Sequence, residues 1–436
     1  MNDEKCGYTQ FSSTVGVSME FERRFYLDRL VQRKHNGLIK VITGLRRSGK
    51  SYLLFRLFFR HLRESGVDEQ HIIRVVLDDR RYAHLCNPDA FLAHIDSCIT
   101  DSGMYYVLLD EVQMMDEFES VLNTLLHYPN VDTYVTGSNS RFLSKDIITE
   151  FRGRGDEIHV YPLSFSEFMA VYPGDKASGF REYCMFGGLP QAVLEKTYAD
   201  KTGYLKRLFE ETYETDVVSR NRLADKHLLS LILDVVSSSV GSLTNPQRIA
   251  NTFRSVLKEN ISRNTVSRYL DALEDAYLIR KVSRYDVRGR QYIGSPQKYY
   301  YEDVGLRNAR LNFRQVEDTY LMENVVYLEL CRRGYNVDVG IVEVNGTGAG
   351  GKSVRNRYEI DFVANLGSAR LYIQSAYAVP DAGKLQQELR SLQLTGDGFR
   401  KILIVHDPVV AHYTETGVLV VGIYDFLLRE TDLEIA

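Results

Sequence analysis

The sequence predicts an α/β fold built on a parallel sheet, and three observations carry that expectation. Short β-branched runs alternate with helix-like stretches through the first third of the chain, and a glycine-rich loop, Gly44-Leu-Arg-Arg-Ser-Gly-Lys-Ser51, separates the first run from the first helix. The third run ends in an acidic pair, Asp110-Glu111. Alternation of this kind implies parallel strands covered on both faces, with ligands held at their carboxyl ends.

In chain order, residues 1–17 read as a frayed tail and Glu20 to Lys34 as a helix. The strands are Leu38 to Thr43, Ile72 to Leu77, Tyr105 to Leu109 and Thr133 to Thr136, each followed by a loop and a helical stretch. The helix after the loop begins Tyr52-Leu-Leu-Phe-Arg-Leu-Phe-Phe59, so the loop has the strand-loop-helix setting a phosphate-binding motif requires.

The chemistry explains the spelling of that loop. A triphosphate needs many donors packed closely, and a first helical turn leaves its N–H groups free and carries partial positive charge. Gly44 and Gly49 let the backbone wrap a β-phosphate, Lys50 bridges the β- and γ-phosphates, and the Ser51 hydroxyl ligates Mg²⁺. The expected ATP-binding set is Gly44, Leu45, Arg46, Arg47, Ser48, Gly49, Lys50, Ser51 and Tyr52. Asp110 is expected to hold the Mg²⁺ through water and Glu111 to act as general base on the attacking water. After the fourth strand, Ser138 or Asn139 is the expected water-orienting sensor. In Phe151-Arg-Gly-Arg-Gly155, Arg152 and Arg154 suit an arginine finger entering a neighbouring copy's site, which implies a homo-oligomer.

A second match to the loop pattern, Gly346-Thr-Gly-Ala-Gly-Gly-Lys-Ser353, is rejected. Alternating β-branched runs flank it on both sides and no amphipathic helix follows, so it reads as a hairpin tip.

Composition bounds the class. Apolar residues are 44% and charged residues 26%, which fits globular domains and excludes a disordered chain. No apolar run is long enough to span a membrane and Met1 to Gly16 is polar, so the expected location is cytoplasmic. The five cysteines lack paired spacing, which speaks against a zinc site or a disulfide framework. A net charge of −4 excludes a globally basic nucleic-acid binder and leaves a local patch open.

The quoted motifs, with Leu109-Asp-Glu-Val-Gln113, Thr136-Gly-Ser-Asn139, Gly153-Arg154, Pro162-Leu-Ser-Phe-Ser-Glu-Phe168 and Gly187-Gly-Leu-Pro190, resemble the AAA+ ATPases. More narrowly, the chain resembles a prokaryotic group joining such a P-loop NTPase module to a winged helix and a C-terminal restriction-endonuclease-like domain. The resemblance implies an ATPase core at 18–175, a helical lid at 176–236 that includes Gly187 to Pro190, a winged helix at 237–311 and a nuclease-like domain at 312–436.

The winged-helix reading has its own residues. Asn245-Pro246 opens a helix with an apolar stripe of Ile249, Phe253, Val256 and Leu257. Ser262 caps the next, whose Val266, Leu270, Leu273 and Tyr277 share a face, and a ribbon of Leu278 to Tyr285 and Lys298 to Glu302 follows. Between Arg248 and Lys298 eleven Lys and Arg stand against five Asp and Glu, a candidate DNA-facing surface. In the last third the resemblance implies that Glu323, Asp361 and a Glu-x-Lys gather a metal. Gln374-Ser-Ala376 fills the last slot, so one carboxylate and the lysine are missing, and Lys384 reads as a surface residue of the next helix. Asp361 then reads as closing a strand end and Glu323 as lying on the solvated side of its helix. Three functions follow: an ATPase moving its winged-helix and C-terminal parts on DNA or a protein, an ATP-regulated nuclease using Glu323 and Asp361, or a non-hydrolysing nucleotide switch.

Overall fold

The computed structural model describes residues 20–137, 154–213, 217–218, 225–347 and 353–428. Ser138, Asn139, Arg152 and the tail at 1–17 lie outside them. Five strands form the first sheet: β1 (Ile39–Thr43), β2 (Ile72–Val76), β3 (Tyr105–Asp110), β4 (Val131–Thr136) and β5 (Gly155–His159). Their order is β2-β3-β4-β1-β5 and every pairing is parallel. Because side chains alternate along a strand, residues such as Val41, Val75, Val107 and Leu109 face one apolar cluster, with the helices Pro88–Cys98 and Phe118–Leu125. Ile42, Tyr106, Leu108 and Ile158 face another, with Tyr26, Leu30, Leu53 and Phe58. Both faces are covered, as the continuous apolar runs predicted.

Eight strands form the second sheet: β6 (Ile279–Asp286), β7 (Gln291–Tyr301), β8 (Asn336–Thr347), β9 (Ser353–Leu366), β10 (Ala369–Ala376), β11 (Arg400–Val405), β12 (His412–Tyr413) and β13 (Val418–Gly422). They run in the order β12-β13-β11-β10-β9-β8-β6-β7. The rejected phosphate-loop match falls where β8 meets β9 antiparallel, with Gly346 opposite Val354, and its tip at 348–352 lies outside the described residues.

Two expectations about the middle of the chain change. β6 and β7 do pair as a ribbon, yet Arg284 to Asp286 of β6 run parallel to Val339 to Ile341 of β8, so the ribbon is no free wing and belongs to the C-terminal sheet. The reason is apolar: Ile279, Val282 and Tyr299 to Tyr301 share one cluster with Phe362, Leu371 and Ile373, and that cluster runs from the helix Phe165–Met169 to Leu427. Among the described residues this one cluster holds residues from both sides of 175, 236 and 311. Val256, placed on the apolar stripe, is 69% exposed. Phe253–Leu257 is π-helical, with a wider turn than the α-spacing assumed, so Ile249 and Phe253 stay buried while Val256 rotates out.

Candidate functional site

β1 ends at Thr43 and the chain turns at Gly44, whose φ is 134°. A Cβ there would stand 2.2 Å from the Val160 carbonyl oxygen, so both the turn and the approach of β5's continuation require glycine. Gly49, φ 99°, opens the helix, and no side chain caps that end. The helical run then continues through Lys50–Tyr52, a π-helical Leu53–Phe58 and Phe59–Glu64, buried along Leu53, Leu54, Leu57 and Phe58. Lys50 Nζ folds back over the loop, donating to the carbonyl oxygens of Gly44 and Leu45 at 3.0 Å each.

β3 and β4 bring the acidic residues to this loop. Asp110, 6% exposed, accepts from Ser51 Oγ at 3.0 Å and from Thr136 Oγ1. Burial pushes its carboxyl up, the two hydroxyls pull it down, and the charges of Glu111 and Asp78 raise it again, for a net rise. The Glu111 N–H donates to the same Thr136 hydroxyl at 3.1 Å, and the Gln113 amide holds the Glu111 carboxylate. Glu111 sits at φ 49°, ψ 49°, a left-handed conformation unusual for glutamate. This donor set fits a hard dication: a hydroxyl and a carboxylate oxygen 3.0 Å apart, beside a lysine and an uncapped helix start. Sequence reading quoted Thr136 within a motif without giving it a role. The signal was its place at the end of a strand beside the acidic pair.

A cavity of about 560 Å³ adjoins the loop, lined by Phe21, Gly49, Tyr52, Pro190, Leu194 and Tyr204 among others. That is the size of a small-molecule pocket, and Arg23, Arg47, Arg207 and Glu211 add charge to its wall. Ser48 Oγ and Tyr204 Oη line it as buried polar atoms without a hydrogen-bond partner. The Gly187-Gly188 turn that brings Pro190 there is held by Asp303. A Cβ on Gly187, φ 73°, would meet the Asp303 carboxylate at 2.2 Å, and Gly188 N–H donates to Asp303 Oδ2 at 2.8 Å. Asp303 also caps the helix Val304–Arg310 through Leu306 N at 3.0 Å, and burial pushes its carboxyl up to about 6 against those N–H donors.

A second polar connection leaves β1 at its end. Thr43 Oγ1 donates to Glu157 at 2.7 Å and lies 3.1 Å from His159 Nδ1, while His159 Nε2 lies 3.1 Å from Glu302. Glu302 is buried and also accepts from Arg280 Nε at 2.6 Å. Residues on both sheets thus meet one step from the phosphate-binding loop.

The other expected residues fall elsewhere. Arg154 precedes β5, its carbonyl accepting from Ile39 N, at the sheet end opposite the loop, and its guanidinium approaches Asn123 at 3.5 Å. Of the eleven cations read as a DNA-facing excess, Arg284 and Lys298 are buried and Arg280 is paired to Glu302, whereas Arg248, Arg254, Lys258, Arg263 and Arg268 are exposed on the helical pair. Glu323 and Asp361 are corrected: both are 7% exposed, Glu323 points into the protein and Asp361 lies within β9, not at its end. Lys384 is a surface residue paired to Glu388, as expected.

Residues 36–169 match the family model described as an AAA domain, and residues 177–317 match a domain of unknown function. With the loop, Asp110 and the parallel sheet, this makes the first unit an AAA-type P-loop ATPase domain. An uncharacterized protein of Haemophilus influenzae is 33% identical over 416 residues, which cover 93% of this chain and 98% of that protein. The chain belongs to the family of that protein. An uncharacterized protein of Methanocaldococcus jannaschii is 25% identical over 371 residues, covering 81% and 78%. Among solved structures, a Walker-type ATPase of Pyrococcus abyssi is 15% identical and covers 67% of this chain and 96% of its own, with a TM-score of 0.45. Among the described residues no helix is long and apolar enough to cross a membrane.

Proposed function

We propose that this protein is a Mg²⁺-dependent ATP hydrolase. The observation that carries the reading is the Ser51, Asp110 and Thr136 constellation beside an uncapped, glycine-opened helix, with Glu111 fixed next to it. In this reading Lys50 and the first-turn N–H groups bind the phosphates, and Ser51 and Asp110 hold Mg²⁺. When bound, Mg²⁺ neutralises charge on the phosphate oxygens. Glu111, oriented by Gln113 and Thr136, takes the proton of the attacking water. Gly44 to Tyr52 form the nucleotide loop, Ser138 or Asn139 the sensor, and the Tyr52, Pro190 and Tyr204 cavity takes the base.

Arg154 serves a neighbouring copy. In its own chain it precedes β5 at the sheet end away from the loop, so a homo-oligomer is what gives it a phosphate to reach. The nucleotide cycle moves the Gly187 to Pro190 turn, and Asp303 passes that movement to the C-terminal sheet. The exposed cations of the helical pair support DNA as what is moved upon, through phosphates more than bases. The tight mounting of Glu111 favours hydrolysis over a passive switch.

One panel tests this. Lys50→Ala should lose ATP binding, while Glu111→Gln and Arg154→Ala should each bind ATP and lose turnover by about 100-fold or more. Mixing those last two proteins should restore part of the activity at hybrid interfaces. Undiminished hydrolysis by Glu111→Gln overturns the catalytic assignment, and absence of rescue at every mixing ratio overturns the trans role of Arg154.

A further inference from the structure

A cavity of about 620 Å³ opens away from the nucleotide loop, lined by residues of the helical pair, such as Arg248 and Thr252, and by Lys298, Glu323, Glu359 and Asp361. Besides the exposed Arg248, four charged groups come together from three places. Lys298 is on β7, Glu323 on the helix Asp318–Arg332, and Glu359 and Asp361 stand two apart on β9. Lys298, 3% exposed, places Nζ 2.8 Å from Glu323 Oε1, 2.8 Å from Glu359 Oε1 and 3.8 Å from Asp361 Oδ1. Tyr300 Oη donates to Glu323 at 2.5 Å and Ser375 N to Asp361 Oδ2 at 2.9 Å.

Two buried carboxylates, Glu323 and Asp361, with the half-buried Glu359 beside them, cannot all stay ionised without a cation among them. Lysine supplies one as a compact charge with three donors. The two shorter contacts suit that partner, since charge-assisted N–H···O bonds run at about 2.7–2.9 Å, and Asp361 at 3.8 Å is an ion-pair neighbour. With Lys298 standing among them, Glu323, Glu359 and Asp361 form no group arranged to hold a metal ion. Gln374, where a further carboxylate was expected, accepts from Asp361 N at 3.3 Å and donates to Glu388 at 3.3 Å, so it supports Asp361 from behind.

We propose that Lys298 is the resident cation of a carboxylate site: its ammonium takes the place a divalent metal ion would hold among Glu323, Glu359 and Asp361. It thereby ties β7, the helix Asp318–Arg332 and β9 together and leaves this cavity without metal-dependent chemistry. The inference goes beyond the ATPase reading and does not rest on it.

Mn²⁺ binding to the full chain, followed by the electron paramagnetic resonance signal of the free ion, tests it. An Asp110→Asn background silences the Ser51 and Asp110 site. In that background the parent should show no Mn²⁺ site at the cavity. Adding Lys298→Ala should create a single site that disappears again with Glu323→Gln or Asp361→Asn. Lys298→Met is the second variant, because methionine repeats the lysine stem as far as Cε and frees only the Nζ position. If the parent itself binds Mn²⁺ and loses it with Asp361→Asn, the proposal is overturned, and likewise if both Lys298 variants fold and bind none. Should they fail to fold in metal-free buffer, Mn²⁺ is expected to restore the near-ultraviolet circular dichroism. No restoration for either variant would also overturn it.

Discussion

Asp110 in the first sheet and Asp361 in the second are buried to the same degree, 6% and 7% exposed, yet they are balanced in different ways. The hydrogen bonds to Asp110 come from the hydroxyls of Ser51 and Thr136, and the charges that act most on it, Glu111 and Asp78, are negative. Asp361 has the Lys298 ammonium in its own cluster, and burial and Glu323 still push its carboxyl well up against that cation. On the reading proposed above, one carboxylate receives a cation from solution and the other has one built into the chain. A buried acid in an α/β sheet therefore says little about chemistry until its counter-charge is identified.

The largest expected effect separates the two acids by the same substitution. Asp110→Asn should cost about 100-fold or more in Mg²⁺-dependent ATP turnover, because it weakens the dication's anchor. Asp361→Asn should leave turnover within about twofold, since its cluster lines a cavity to which no residue of the phosphate loop contributes among the described residues. Steady-state phosphate release on both variants checks this. A large loss with Asp361→Asn would join the two sites and break the comparison.

Next comes the pair of lysines. Lys298→Met in metal-free buffer should destabilise the chain by about 3–5 kcal/mol, the cost of leaving buried charges uncompensated. Lys50→Met should cost about 1 kcal/mol, since the hydrogen bonds Nζ makes to Gly44 and Leu45 go to neutral carbonyls. Urea unfolding midpoints decide it, and equal losses would mean that Lys298 contributes packing rather than charge.

The same contrast explains what could be read from the sequence. The phosphate loop and the acidic pair were legible because their chemistry is local: Gly44 to Ser51 are contiguous, and Asp110 follows an apolar strand directly. The sheet faces were legible because alternation in β1 and β3 reports both sides. Lys298 was illegible as a partner of Glu323, Glu359 and Asp361, because it enters through β7, 25 residues from Glu323 and on a ribbon read as a free wing. Arg280 and Arg284 misled for a related reason, since a charge count cannot tell cations facing solvent from those spent inside. Val256 was misplaced because α-spacing was applied to a π-helical turn.

Asp303 offers a third way of balancing a buried carboxylate, and it sharpens the comparison by the smallest effect. Its partners are backbone N–H groups: Gly188 at 2.8 Å and Leu306 at 3.0 Å, with Gly305 and Leu189 also pulling its carboxyl down. Burial outweighs them, and the carboxyl titrates at about 6 in the fold against 3.8 as its ordinary value. A raised folded value means that the protonated acid is favoured in the native state. Its contribution to stability is therefore fully present below about pH 3.8 and is lost as pH rises through about 6, a difference of about 3 kcal/mol. Asp303→Asn carries a constant cost for the poorer acceptor but no titration. Relative to wild type, the variant should thus gain stability between pH 4 and pH 6.5, by up to about 3 kcal/mol, and hold a constant difference above that. Urea unfolding of both proteins across this range tests the point. Parallel pH profiles would show that the N–H donors keep Asp303 ionised throughout, so that backbone groups alone satisfy its charge.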